Sequence, residues 1–240
     1  MPAATFAGTV FIVDDETSVR KSLVRLLVSA GYVVEAFASA EDFLGQPRSA
    51  HHTGCVLLDV SLPGLSGLDL QQVLQALAPP LPVIFLTGHG DVPSSVRAMK
   101  GGAVDYLTKP VCAEALLPAI ALAMDRSRAA RERHAERLEL QRHLDQLTDR
   151  EREVMEFVVR GWMNKQVAAE LGTVEKTIKV HRARLIEKMG VSSLAELVLV
   201  AEKLGMFSPE SGTPRPRSPG SGNQLPRQQP AFSGRWQNPA

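Results

Sequence analysis

The chain has 240 residues, 44% hydrophobic and 22% charged, with a formal net charge of +1, which gives room for one large domain or two small ones. No apolar run approaches the length of a membrane helix and no basic-then-apolar leader opens the chain, so the expectation is a soluble protein of the cytoplasm. Two cysteines, Cys55 and Cys112, lack any Cys-x-x-Cys or Cys/His spacing; that excludes a zinc framework and fits a reducing compartment.

Charge is unevenly spread. Residues 1–124 hold 7 Lys/Arg against 11 Asp/Glu, residues 125–207 hold 16 against 14, and residues 208–240 hold 4 against 1. An acidic front and a basic back predict two tasks.

After a short extension (residues 1–8), Thr9–Val13 opens a series of apolar runs. Val33–Phe37, Cys55–Leu58, Val83–Leu86 and a weaker Val104–Leu107 continue it. Runs this apolar suit parallel strands buried on both faces. Amphipathic stretches separate them: Ser18–Ser29, with Val19, Leu23, Leu26 and Leu27 on one side, then the shorter Leu68–Leu77 and Ser94–Lys100. The alternation predicts an α/β doubly wound, five-stranded parallel sheet over residues 9–125.

Such sheets bind ligands beyond the carboxyl ends of their strands. Asp14 and Asp15 follow the first run, Asp59 the third, Thr87 the fourth and Lys109 the fifth. One Asp at a strand end is readily a mere turn former, but the full set converges on one crevice. Two like charges about 4 Å apart repel by roughly 4 kcal/mol at an effective dielectric of 20, so the acids call for a cation. Mg²⁺ is the natural choice, being hard, oxygen-liganded and commonly shared with phosphate. Carboxylate, divalent ion, ammonium and hydroxyl together make a competent phosphoryl-transfer site.

Ala113–Leu147 reads as one helix, spanning about 45–50 Å if continuous. Pro118 is tolerated only in a first turn, which predicts a start near Ala115 or Leu116. Residues 126–146, of mixed charge, read as a solvated helical linker, with Leu138, Leu144 and Leu147 free to touch a partner at the far end. Thr148-Asp-Arg-Glu151 is a capping box opening a helix at Asp149–Arg160, and Ser193-Leu-Ala-Glu196 repeats the device before Leu194–Leu204. Asn164–Leu171 and Val174–Met189 lie between, completing an all-α four-helix unit over residues 147–207 with a tight turn at Gly172-Thr173. In Val174–Met189 the stripe Val174, Ile178, His181, Leu185, Met189 faces inward, His181 as core. The outer face carries Lys176, Lys179, Val180, Ala183 and Glu187. That face is either a solvated surface with a stray valine or a major-groove reader, lysines for guanine or phosphate and small apolar groups for thymine methyls. The Pro/Gly/Ser/Arg/Gln-rich tail 208–240 is expected to be disordered, with Trp236 an exposed aromatic.

The stretches "FIVDDE", "LLDVSLPGLSG", "IFLTGHGDVP" and "AMKGGAVDYLTKP" resemble, in order and spacing, the flavodoxin-like receiver domain of two-component response regulators over residues 8–125. The FixJ type is the nearest resemblance, through "TGHGDVP". The resemblance implies that Asp59 is the phosphoacceptor, that Asp15 binds Mg²⁺ directly and Asp14 through water, and that the Ser61 carbonyl completes the protein ligands. Thr87 and Lys109 would grip the phosphoryl oxygens, Tyr106 would be the switch aromatic, and Lys109-Pro110 would be cis. Leu-Pro-Gly stands where Met-Pro-Gly is commoner, and Tyr106 where Phe is common. His89 reads as a loop residue beside the site, or as one that sets phosphate lifetime.

Residues 147–204 resemble the LuxR-type helix-turn-helix domain. That implies base contacts from Lys179, Val180 and Ala183, and phosphate contacts from Lys165, Lys176, Thr177, Arg182 and Arg184. Glu175 stands where a basic or polar residue is frequent: it favours the helix dipole but repels phosphate. The implied protein is a phosphorylation-controlled transcriptional regulator whose partners are a histidine kinase, promoter DNA, RNA polymerase and, once phosphorylated, a second copy of itself. Two rivals stand beside it. One binds DNA constitutively, without phosphate. The other is a Mg²⁺-dependent aspartyl phosphatase of the haloacid-dehalogenase kind, but that needs an acid two residues after the nucleophile, where this chain has Ser61.

Overall fold

A computed structural model describes residues 8–46, 53–88 and 90–206. The expectations for the tail 208–240, Trp236 and His89 lie outside the described residues. The chain divides into two compact units between residues 146 and 147.

The first unit alternates strands and helices: β1 (Thr9–Val13), α1 (Thr17–Ser29), β2 (Val33–Phe37), α2 (Ala40–Gly45), β3 (Gly54–Asp59), α3 (Gly67–Gln75), β4 (Val83–Thr87), α4 (Val92–Lys100), β5 (Asp105–Thr108) and α5 (Ala113–Asp145). All pairings are parallel, in the order β2-β1-β3-β4-β5. Because side chains alternate across a strand, β1 feeds two cores. Val10 and Ile12 pack with Leu27, Leu57, Ile84, Leu116 and Ile120 on one face. Phe11 and Val13 pack with Phe43, Leu58, Leu70, Leu74 and Phe85 on the other.

Three expectations need correction. First, β2 is not buried on both faces: it is an edge strand, and Val33 is 58% exposed. Second, a short helix, α2, follows β2, opened by the Ser39 hydroxyl accepting from the Asp42 amide. Third, α5 begins at Ala113, not at Ala115 or Leu116, so Pro118 sits inside it. Proline there leaves the Glu114 carbonyl without its i+4 donor. The helix persists because Leu116, Ala119, Ile120 and Ala123 are buried against the sheet. The packing of α5 also runs past the expected domain end at residue 125. Ser127 is buried and its hydroxyl accepts from the Gly54 amide at 3.1 Å, while Arg131 Nη1 donates to Thr53 Oγ1 at 2.6 Å.

The second unit is α6 (Asp149–Val159), α7 (Asn164–Glu170), α8 (Glu175–Met189) and α9 (Leu194–Lys203). Val154, Met155, Val167, Ile178, Leu185, Met189, Leu197 and Ala201 are its buried residues of lowest exposure. The first capping box forms: Thr148 Oγ1 accepts from the Glu151 amide and Glu151 Oε2 accepts from the Thr148 amide. The second forms by half. Ser193 caps α9, but Glu196 Oε2 accepts from the amide and hydroxyl of Ser192 instead. Val174 leaves the inward stripe: it is the N-cap of α8, before the helical register starts, and is 64% exposed. His181 is half-buried.

Candidate functional site

β1, β3, β4 and β5 deliver their polar residues to one end of the sheet. Asp59 pairs across the ladder with Leu86, and Thr87 with Thr108, so Thr87 lies one residue beyond the level of Asp59. Asp14, Asp59 and Thr87 are buried; Asp15 and Ser61 are exposed. Carboxylate oxygens of Asp14, Asp15 and Asp59 lie within 4.8 Å of one another. Lys109 Nζ reaches in to 2.7 Å from Asp14 Oδ2 and 2.5 Å from Asp59 Oδ2, with Glu16 Oε1 at 3.7 Å. The Lys109-Pro110 peptide is cis.

Backbone amides fix the carboxylates. The Glu16 amide donates to Asp14 Oδ1 and the Ser61 amide to Asp59 Oδ1, each at 2.9 Å. The loop after β3 closes tightly on the strand: a Cβ on Gly67 would stand 2.0 Å from the Asp59 carbonyl oxygen, so only glycine fits. One contributor had no signature in the sequence: Arg20 Nη1 donates to the Asp14 carbonyl at 2.6 Å and Nη2 to Thr17 Oγ1 at 3.0 Å. It pins the loop that carries the acids.

The electrostatics favour a cation. Burial pushes the Asp14 carboxyl above the ordinary range, against the opposing pull of Lys109 and the Glu16 amide. Burial also works against the Lys109 ammonium, but hydrogen bonding to Asp14 and Asp59 outweighs it and raises its pKa. The three clustered carboxylates, with Glu16 as a further acid near the one ammonium, leave an excess of negative charge among hard oxygen donors, which matches a divalent ion of the Mg²⁺ type.

Tyr106 on β5 has its ring centroid 6.1 Å from that of Phe85. Its hydroxyl is buried and finds no hydrogen-bond partner.

In the second unit, α7 and α8 form the helix-turn-helix. Lys165, Lys176, Lys179, Val180, Ala183 and Arg184 are exposed, Val180 by 44%; Thr177 and Arg182 are half-buried. Arg182 Nη1 donates to Asn164 Oδ1 at 2.7 Å, tying α8 back to the start of α7. Lys165, Lys179 and Arg182 share a cavity of about 510 Å³ with Met163, Asn164 and Glu175. Lys176, Thr177, Val180, Ala183 and Arg184 lie outside its lining. Met163 and Asn164 were missed by the sequence reading, since a loop residue and a helix start give no periodic signal.

Comparison with known proteins accounts for both units. The response regulator receiver domain family matches residues 10–121, and the family of bacterial regulatory proteins of the luxR type matches residues 145–201. Nodulation protein W of Bradyrhizobium diazoefficiens is 47% identical over 203 residues, covering 85% of this chain and 89% of that protein. The transcriptional regulatory protein FixJ of Azorhizobium caulinodans is 40% identical over 207 residues, covering 85% and 97%. The solved structure of response regulator StyR matches with a TM-score of 0.67 at 45% identity, covering 82% of this chain and 99% of that one. A receiver implies a histidine kinase upstream, and a luxR-type domain implies DNA downstream. With both domains in this order, the chain belongs to the FixJ type of two-component response regulators, transcription factors whose DNA binding is under phosphorylation control.

Proposed function

We propose that Asp59 is the phosphoacceptor of this regulator. The observation that carries the reading is the Asp59 carboxylate held between the Lys109 ammonium and the Ser61 amide, beside Asp14 and Asp15. An Asp59 oxygen attacks the phosphorus of the kinase's phosphohistidine. The phosphorus–nitrogen bond breaks, its electron pair stays with the imidazole, and that ring takes up a proton. Asp14, Asp15, Asp59 and the Ser61 carbonyl would hold Mg²⁺, which supplies neutralising charge for the phosphoryl oxygens. Lys109 and Thr87 bind those oxygens. The acidic pocket accepts a phosphoryl group as a signal rather than turning over a substrate.

Residues 9–125, prolonged along α5, act as the receiver, and residues 126–146 connect it to the DNA-binding residues 147–207. Phosphorylated copies pair, and the dimer sets two α8 helices on a two-fold promoter site, where it engages RNA polymerase in the cytoplasm. Lys179, Val180 and Ala183 face bases. Lys165, Lys176, Thr177, Arg182 and Arg184 face phosphates, so binding weakens steeply with salt.

Intact mass after incubation with acetyl phosphate tests the first step. One phosphoryl adduct that requires Mg²⁺ is expected. An adduct formed equally with chelator present would refute the site, and no adduct even with a partner kinase would favour constitutive DNA binding.

Tyr106 sets the balance of the switch. A buried hydroxyl without a partner costs about 1–3 kcal/mol, so the inward ring beside Phe85 is held at a disadvantage. Tyr106→Phe keeps the ring and removes that cost. The variant should dimerise at about fivefold lower phosphodonor or more, following the lower end of that range. Titration with acetyl phosphate, read by light scattering, checks this; an unshifted midpoint would count against it.

A further inference from the structure

Glu175 is an acid on a face meant for a polyanion, and phosphate contact gives it no task. Its Oε1 lies 3.4 Å from Lys179 Nζ, one helical turn on, and both side chains are exposed. Both line the same cavity as Lys165 and Arg182. A phosphate drawn in by those three cations meets the Glu175 carboxylate and is repelled.

A carboxylate accepts hydrogen bonds and donates none. In the major groove it can accept from the cytosine or the adenine amine. Lys179 decides between them. Next to the cytosine amine lie guanine O6 and N7, two adjacent acceptors for an ammonium with three donors. Next to the adenine amine lies thymine O4, with the thymine methyl beyond it. The amine and O6 of a C·G pair stand a hydrogen-bond length apart, about 3 Å, which matches the 3.4 Å between the two charges. Glu175 is the first residue of α8, and the N-terminal residues of a recognition helix are those that meet base edges.

We infer that Glu175 and Lys179 act as one reading unit for a C·G base pair in each half-site, Glu175 accepting from cytosine N4 and Lys179 donating to guanine. The inference rests on the DNA-binding reading above and adds a specificity residue to it.

The test is selection from a pool of randomised 30-base-pair duplexes by full-length chains treated with acetyl phosphate. Wild type, Glu175→Gln and Lys179→Gln are compared, each after its melting curve has been matched to wild type. Wild type should enrich a two-fold motif with a C·G pair at one fixed position per half-site. Both variants should lose preference at that same position, by about tenfold, the usual weight of one mismatched pair. Glu175→Gln should also bind a fixed non-motif duplex more tightly, because an anion has gone. A Glu175→Gln motif unchanged at every position would overturn the inference while leaving DNA binding intact, and so would losses at different positions in the two variants. A wild type that enriches nothing would overturn the DNA-binding reading and the inference with it.

Discussion

Asp59→Asn should take up no phosphoryl group and should stay monomeric whatever phosphodonor is supplied. Asparagine has the shape of aspartate, and its one carbonyl oxygen can still accept from the Ser61 amide as Asp59 Oδ1 does; its amide nitrogen replaces the Oδ2 that accepts from Lys109, which keeps Asp14 as its partner. The fold should therefore survive, with a melting curve close to that of wild type. What is lost is the nucleophile, together with one of the three carboxylates of the cluster. The thermodynamic consequence is large. Moving a population from 1:99 to 99:1 takes about 5.5 kcal/mol of differential stabilisation, and without the acyl phosphate nothing supplies it. Light scattering with and without acetyl phosphate and Mg²⁺ reads the dimer, and intact mass reads the adduct. A variant that still gains the adduct would move the acceptor to another carboxylate, Asp14 or Asp15 being nearest. One that dimerises without an adduct would uncouple dimerisation from phosphate.

The legibility of this chain follows the range of the forces involved. The acid pocket could be read because each contributor sits where an apolar run stops abruptly, as Asp14 does after Val13 and Asp59 after Leu58. The order of the strands could not. β2 is apolar in sequence but for Glu35 at its centre, yet it lies at the sheet edge with Val33 exposed, because strand order is decided by crossovers more than by composition. α2 has six residues, too few to display a helical period. Pro118 misplaced the start of α5, since a local rule about proline was overruled by burial of Leu116, Ala119 and Ile120. The contacts that escaped notice join residues remote in sequence or polar groups on backbone atoms: Arg20 on the Asp14 carbonyl, and Arg131 on Thr53, 78 positions away. No spacing announces such pairs.

A third remote pair carries the larger consequence for the DNA-binding unit. Glu151 is 2% exposed, and besides capping α6 its Oε2 receives Lys188 Nζ of α8 at 2.6 Å. The pair ties α6 to the C-terminal end of α8. Glu151→Gln separates its two roles, because glutamine still satisfies the Thr148 amide in a capping box but no longer offers Lys188 a charged acceptor. The Lys188 side chain is 32% exposed and can turn to water, so the loss should fall below that of a fully enclosed pair, at about 2 kcal/mol. In a unit of this size that lowers the melting temperature by roughly 10 °C. Fluorescence of Trp162, whose ring centroid lies 4.9 Å from that of Phe157, follows the transition in the full chain on a Trp236→Phe background. The pH dependence identifies the cause. Lys188, first, and the Thr148 amide hold the Glu151 carboxyl below its ordinary value of 4.5, with burial opposing them. A carboxyl lowered in the folded state contributes stability above its unfolded pKa and loses it as pH falls through the folded one. The gap between wild type and Glu151→Gln should therefore be full at pH 7 and shrink as pH drops below 4.5. A gap that stayed constant into acid would assign Glu151 to packing, and the attachment of α8 would then rest on its apolar residues Ile178, Leu185 and Met189 and on the bond from Arg182 to Asn164.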